Sequence, residues 1–390
     1  MGFENGSRTT ISCSQEGRLW SHLIAYDMSE WVEWCHKVGD KLIDHSISTR
    51  EPFNNLIVPK FMTERPALVP LAIEWGTSFF EPHEDEINIS ISGETAPFYD
   101  TRLDLISHTD SDPIRFRVTT GTQSATYELQ FGERGVDYVP IGLDVADVSI
   151  RRRRGSLTEW FRKDSPIVFF ADGSTLADHH LYTPPDIASR APYPVERIVA
   201  WDWTGVDLKV ESQTHARRAD SIQRRVILDL LSSATNPAWD VVFDDDANEA
   251  ADIVAIRSEG NRIIVHFYHC KYAHGEAPGA RVGDLYEVCG QAQRSIRWKN
   301  SVSKLFRHLR QREEARVRRI GVTRFDRGDA AKLAELNRLA RQVSTEFKVF
   351  IVQPGISKAE VSKSQLDLLA ATELYFKDTS SIDLIVISSP

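Results

Sequence analysis

Residues 239–299 read WDVVFDDDANEAADIVAIRSEGNRIIVHFYHCKYAHGEAPGARVGDLYEVCGQAQRSIRWK. Three apolar runs lie here, Trp239–Phe243, Ile253–Ile256 and Arg262–Tyr272, each of strand length and the last rich in β-branched and aromatic residues. Ala247-Asn248 and Glu259-Gly260-Asn261 are turn signals between them, so the stretch is predicted to fold as a three-strand meander. Val282–Arg297 follows, with Leu285, Val288, Cys289, Ala292 and Ile296 at helical spacing.

The meander sets an acid beside a lysine. Side chains alternate across a strand, so His269 and Lys271 are expected to share a face and Cys270 to point the other way. Asp252, at the start of the middle strand, can face that pair. This combination suits phosphodiester cleavage. The acid holds Mg²⁺, which takes oxygen ligands, and the metal activates water and screens the phosphate. The lysine orients or deprotonates that water, or stabilises charge building on phosphorus. A His269–Cys270 thiol dyad is disfavoured by the same alternation. No GxSxG elbow and no GxxxxGK[ST] phosphate loop is present.

On these residues the stretch resembles the PD-(D/E)XK nuclease superfamily, the restriction-endonuclease-like fold. Asp252 stands for the first acid of its pattern and Lys271 for the lysine, while His269 sits where the second acid belongs. Gln291, in YEVCGQ, looks like the glutamine that many members carry on the following helix. Residues 194–390 also resemble the C-terminal nuclease-like part of bacterial defence-associated helicase proteins. WDWTGVDLKVESQ, FDDDANEAADIVAI, YHCKYAHG, GARVGDLYEVCGQAQRS and VQPGISK carry that resemblance. It implies a metal-dependent DNA endonuclease or nuclease effector of an anti-phage defence or restriction system, with Asp252, His269, Lys271 and Gln291 as the catalytic set and Mg²⁺ or Mn²⁺ as cofactor. Histidine is a poor ligand for a hard cation, so His269 suits Mn²⁺ or a proton carrier better. Glu249 is a candidate second metal ligand with Asp252, although a spacing of three sets it on the other strand face. Asp246 could reach over the corner, and Glu287 and Gln291, four apart, share a helix face. The alternative is a catalytically decayed subunit that binds nucleic acid on the same fold.

Working outward, the helical run Ile222–Ser232 precedes the meander. After the Val282–Arg297 helix come a predicted strand Arg319–Phe325, helix Asp329–Val343, strand Phe347–Val352, helix Ser357–Tyr375 and strand Leu384–Ile387. That is an αβββαβ core with an αβαβ extension, an α/β unit with parallel pairs in its later part. Trp201–Val210 is predicted to hold a short strand. Before it, INISI, RFRVTT, YELQF, DVSIR and IVFF are strand candidates between Glu86 and Leu181, about ten residues apart, which suggests a sandwich or partial barrel. Ser29–Leu42 is predicted to be a helix capped by Ser29, with Trp31 and Trp34 packed inward. Pro184, Pro185, Pro192 and Pro194 mark a boundary near 190. The expected organisation is thus an N-terminal α+β, β-rich recognition domain over 1–190 and a nuclease-like domain over 191–390.

Charge refines the functional reading. The net charge of −9 argues against a chain that coats DNA without specificity. Residues 281–319 hold eleven Lys/Arg against four acids, a local excess of seven positive charges. Arg294, Arg297, Lys299, Lys304 and Arg307 are therefore candidates for a phosphate track, with a solvated helix surface as the ordinary alternative. A third reading, a scaffold that docks a partner protein, is expected to show these arginines tied up in ion pairs. No run approaches the roughly 20 apolar residues of a membrane helix, and the start MGFENGSRTTIS reads as no signal peptide. The four cysteines have neither zinc nor disulfide-framework spacing, so a reduced, cytoplasmic protein is expected. Expected partners are nucleic acid, a separate helicase or ATPase, because the chain has no phosphate loop, and a possible second copy of the chain.

Overall fold

The computed structural model describes residues 2–4, 7–9, 11–13, 19–21, 27–44, 59–76, 87–98, 101–150, 153–184, 191–232, 238–245, 250–275 and 277–390. The fold is mixed α+β. The N-terminal strand candidates all form strands: Ile87–Ile91, Arg115–Thr120, Gln123–Gly132, Ala146–Ile150 and Ile167–Phe170. They fall in two four-stranded sheets and one five-stranded sheet, each antiparallel throughout. One apolar core joins the three sheets. At its centre Phe161, from the short helix Leu157–Phe161, meets Phe116, Tyr127 and Tyr138 with ring centroids 5.7, 5.6 and 5.4 Å away.

The second half is built on a seven-stranded mixed sheet. The meander forms as Val241–Asp244, Ile253–Glu259 and Arg262–Cys270, antiparallel. Ser344–Ser357 then runs parallel to Arg262–Cys270, Leu384–Ser389 parallel to that, and Ile198–Ala200 closes the edge, again parallel. Both faces are apolar, because the strands alternate between two cores. Val254, Ile256, Val265 and Phe267 pack under the helices Gly283–Ser295, Val302–Ile320 and Lys363–Ser380. Ile253, Ala255, Ile264 and Cys270 pack under Ile222–Ser232.

Four local expectations differ from the structure. The predicted Arg319–Phe325 strand is instead the end of the helix Val302–Ile320 and a short antiparallel edge strand, Phe325–Arg327. The helix continues because its inward face after Leu309 is carried by Arg312, Glu313 and Arg316, which are buried, while Val317 and Ile320 are exposed. Gly321, at φ +71°, ends it by taking the left-handed conformation, and its N–H donates to the Val317 carbonyl. Ser357 does not start a helix; it ends the long strand, and Ser362 caps Lys363–Ser380 in a reciprocal bond with Gln365. Residues 201–220 form turns and no strand. The first helix, Met28–Ile43, is capped by Asp27, not Ser29, and Trp31 is half exposed, not packed in a core.

Two packing features fix the frame. The acidic corner after Val241–Asp244 is structural: Arg312 Nε donates to Asp245 Oδ1 at 2.7 Å and Arg316 Nη1 to Asp244 Oδ2 at 3.1 Å, with all four residues buried. Burial alone would raise the Asp245 carboxyl, but Arg312, His308 and Arg324 outweigh it and hold it below its ordinary value. At Asp244 burial wins, and its carboxyl is raised despite Arg316. The second feature is a close approach. Gly290, inside the helix Gly283–Ser295, lies against the Pro70–Glu74 strand of the β-rich half, where a Cβ would stand 2.5 Å from the Ala72 Cβ and 2.8 Å from the Leu71 carbonyl oxygen.

Asp245→Ala is expected to lower stability by about 3–5 kcal/mol, because it strands a buried arginine; an unchanged urea midpoint would contradict this. The folded carboxyl is depressed, so the pair's contribution is full above the unfolded value of about 3.9 and fades as pH falls below it. Gly290→Ala would gain about 1 kcal/mol of helix propensity at an open position. Here a net loss of stability is expected instead, read as a lower thermal midpoint, because two backbones leave no room for the methyl group.

Candidate functional site

Asp252 and Lys271 sit at adjoining ends of neighbouring strands. Asp252 precedes Ile253–Glu259 and is 2% exposed. Its Oδ2 accepts from the Cys270 N–H at 2.8 Å and its Oδ1 from Gln223 Nε2 at 2.7 Å. Both donors are neutral, so they orient the carboxylate without cancelling its charge. Lys271 follows Arg262–Cys270, and its N–H continues the parallel pairing by donating to the Val352 carbonyl at 3.0 Å. Its ammonium lies 2.7 Å from Glu287 Oε1 and 3.1 Å from Glu211 Oε2, and 5.0 Å from the Tyr272 ring centroid.

Glu211 is the residue that sequence reasoning missed. It arrives on the 201–220 turns, with no apolar period to mark it. The segment is pinned to the sheet: the Ala273 N–H donates to the Leu208 carbonyl at 2.7 Å, and the Gln223 N–H to the Glu211 carbonyl at 3.0 Å. The Tyr272 N–H donates to Glu211 Oε2 at 3.4 Å. Its signal was membership of the WDWTGVDLKVESQ phrase.

The electrostatics of the cluster are unbalanced. Burial, and then the charge of Glu211, raise the Asp252 carboxyl well above the ordinary carboxylate range. Burial raises Glu211 too, against the pull of Lys271. Burial disfavours the charged lysine, but Glu211 and Glu287 outweigh it and keep Lys271 protonated. Glu211 and Glu287 share the Lys271 ammonium and Asp252 has only neutral donors, so the cluster lacks positive charge. Hard oxygen donors with surplus negative charge fit a divalent cation such as Mg²⁺ or Mn²⁺. Among the described residues no three His, Cys, Asp or Glu side chains converge on one point. Asp252 and Glu211 are the carboxylates that could hold such an ion, with water or phosphate oxygens completing its shell, a pattern usual for Mg²⁺.

The other expected residues fall differently. His269 continues the Ile263, Val265, Phe267 line and is 1% exposed, with neither ring nitrogen hydrogen-bonded. Burial, then Arg294, push the imidazole down to about 3, so it is neutral. It makes no hydrogen bond with Asp252 or Lys271, and the acids beside Lys271 are Glu287 and Glu211. Gln291 Oε1 is buried without a partner, and of the Glu287–Gln291 pair it is Glu287 that reaches Lys271. Glu249 and Asp246 lie outside the described residues.

Much of the basic segment is engaged within the molecule. Arg294 donates to the Leu103 carbonyl at 3.3 Å and Lys299 to that of Ser380. Arg281 pairs with Asp284 at 3.1 Å and Arg310 with Glu314 at 3.6 Å, while Arg312 and Arg316 are in the buried cluster. Lys304 and Arg307 are half-buried on Val302–Ile320, and Arg297 is described by its backbone alone, in the turn Ile296–Ser301. Among the described residues no helix is long and apolar enough to cross a membrane.

His269→Leu is expected to keep or raise the thermal midpoint, because it removes an unsatisfied polar ring from an apolar place; a loss above about 3 kcal/mol would show that the ring has a partner. Comparison with family models, curated proteins and solved structures returns no match for this chain.

Proposed function

We propose that the chain is a metal-dependent phosphodiester hydrolase acting on nucleic acid, a DNA endonuclease or nuclease effector of a bacterial anti-phage defence or restriction system. The observation that carries this reading is the juxtaposition of buried Asp252 and Lys271 with half-buried Glu211 where the meander meets the parallel strands. Element order supports it. Helix Ile222–Ser232, the three-strand meander and helix Gly283–Ser295 follow the αβββα part of the expected order, and the helix Val302–Ile320, the antiparallel edge strand Phe325–Arg327 and the helix Ala330–Leu339 then precede the parallel strand Ser344–Ser357. Glu211 supplies a second carboxylate, so His269 need not act as one.

Bound by Asp252 and Glu211, Mg²⁺ or Mn²⁺ would supply an activated water and screen the phosphate. The residues divide the remaining work. Gln223 and the Cys270 N–H orient the Asp252 carboxyl without bringing a positive charge to it. Lys271, kept protonated, is suited to stabilise negative charge on the phosphate and not to remove a proton. Glu287 holds the ammonium in place. The protein would act in the cytoplasm, alone or with a separate ATP-driven subunit.

A second reading, a cleavage-incompetent nucleic-acid-binding subunit, draws on the engagement of Lys271 by two acids and the absence of a three-carboxylate cluster among the described residues. One experiment separates the two. Plasmid, linear duplex, single-stranded DNA and RNA are incubated with the wild type and with Asp252→Asn, Glu211→Gln and Lys271→Ala in Mg²⁺ and in Mn²⁺. Metal-dependent cleavage by the wild type is expected, reduced by about 10²–10³ in Lys271→Ala while that variant still folds. Undiminished cutting by Lys271→Ala would overturn the assignment. Retention of nucleic acid without cleavage would establish the second reading.

A further inference from the structure

Gln223 is the second residue of the helix Ile222–Ser232 and is 4% exposed. A buried polar residue on the sheet-facing side of a helix calls for a reason, and here its groups are satisfied by the site. Its N–H donates to the Glu211 carbonyl at 3.0 Å. Its Oε1 accepts from the Gln213 N–H at 3.0 Å, and its Nε2 donates to Asp252 Oδ1 at 2.7 Å. The Gln213 N–H can only donate, so it fixes which end of the amide is oxygen and directs the NH₂ group at Asp252. One side chain thus ties the segment carrying Glu211 to the strand end carrying Asp252.

We propose that Gln223 is the positioning residue of this site, holding the carboxylates of Asp252 and Glu211 at the separation and orientation that a divalent cation needs. The proposal rests on the metal-dependent reading above. Two like charges brought close repel, and without a tie the irregular 201–220 segment is where that repulsion would be relieved. An arginine or lysine at 223 would also tie them, but would bring the positive charge that the ion is to supply. A neutral amide restrains the pair and leaves its charge available. Partners of metal-binding carboxylates act in this way in general, and losing one weakens metal affinity by about 10–100-fold.

The test uses Mn²⁺ itself on the full chain. Free Mn²⁺ is measured by electron paramagnetic resonance for the wild type and for Gln223→Met and Gln223→Leu, with thermal unfolding as the control for folding. A 10–100-fold weaker affinity is expected in both variants. The Mn²⁺ concentration for half-maximal cleavage is expected to rise by the same factor, with the maximal rate retained at saturation; Lys271→Ala is expected to lose maximal rate at any Mn²⁺ concentration. Unchanged affinity, or a loss of maximal rate that Mn²⁺ does not restore, overturns the positioning role. If neither variant folds, the side-chain amide resonance of Gln223 in the wild type decides: it is expected to shift on Mg²⁺ titration, and a resonance that stays put overturns the role. A wild type that binds no Mn²⁺ overturns the metal-dependent reading, and this inference with it.

Discussion

Lys271 carries a positive charge into a place where little water reaches, and two carboxylates make that possible. Glu211 and Glu287 come from opposite sides, one from turns before the sheet and one from the helix after it. A charge of this kind needs close, well-aligned partners, because the loss of hydration is otherwise not recovered. Much else follows from that requirement. The 201–220 segment must lie against the end of the meander, so it is pinned through Leu208, Glu211 and Gln213. The helix Gly283–Ser295 must cross the sheet with Glu287 above Lys271, and Leu285, Val288, Cys289 and Ala292 bury its other contacts in the core.

That helix also faces the β-rich half. Gly290 allows the Pro70–Glu74 strand to approach it closely, and Arg294 bonds the Leu103 carbonyl. The same element therefore meets Lys271 at one position and the β-rich half at two others. Several arginines that look like a nucleic-acid track in sequence serve this packing or the Asp244–Asp245 cluster. Within residues 281–319, Arg281, Arg294, Lys299, Arg310, Arg312 and Arg316 each bond within the molecule, while Arg318 and Arg319 are exposed.

The strands of both halves were legible because their signal is local. Alternation in INISI and RFRVTT, and apolar runs broken by turn residues, are set by which face of each strand is buried. The neighbouring ends of Asp252 and Lys271 were legible for the same reason, since a meander fixes which residues are adjacent. Glu211 was not, because it reaches the site by tertiary pinning of an irregular segment. Alternation gave the face of His269 but not its surroundings, and its ring lies buried with neither nitrogen hydrogen-bonded. The Val302–Ile320 helix was not legible, and its end was taken into a strand, because the residues that hold its last turns are charged and find their partners far away in the chain. Boundaries such as Ser357 against Ser362 depended on which serine finds a glutamine three residues on to complete the cap.

We propose that Asp252 and Glu211 together accept a divalent cation beside Lys271. Anomalous diffraction from crystals soaked in Mn²⁺ tests it most directly. A single peak within about 2.0–2.3 Å of a carboxylate oxygen of each acid, with Lys271 as the neighbouring cation, is the expected result. A saturating soak that leaves no peak between the two carboxylates, or that places the ion on other side chains, would contradict the account.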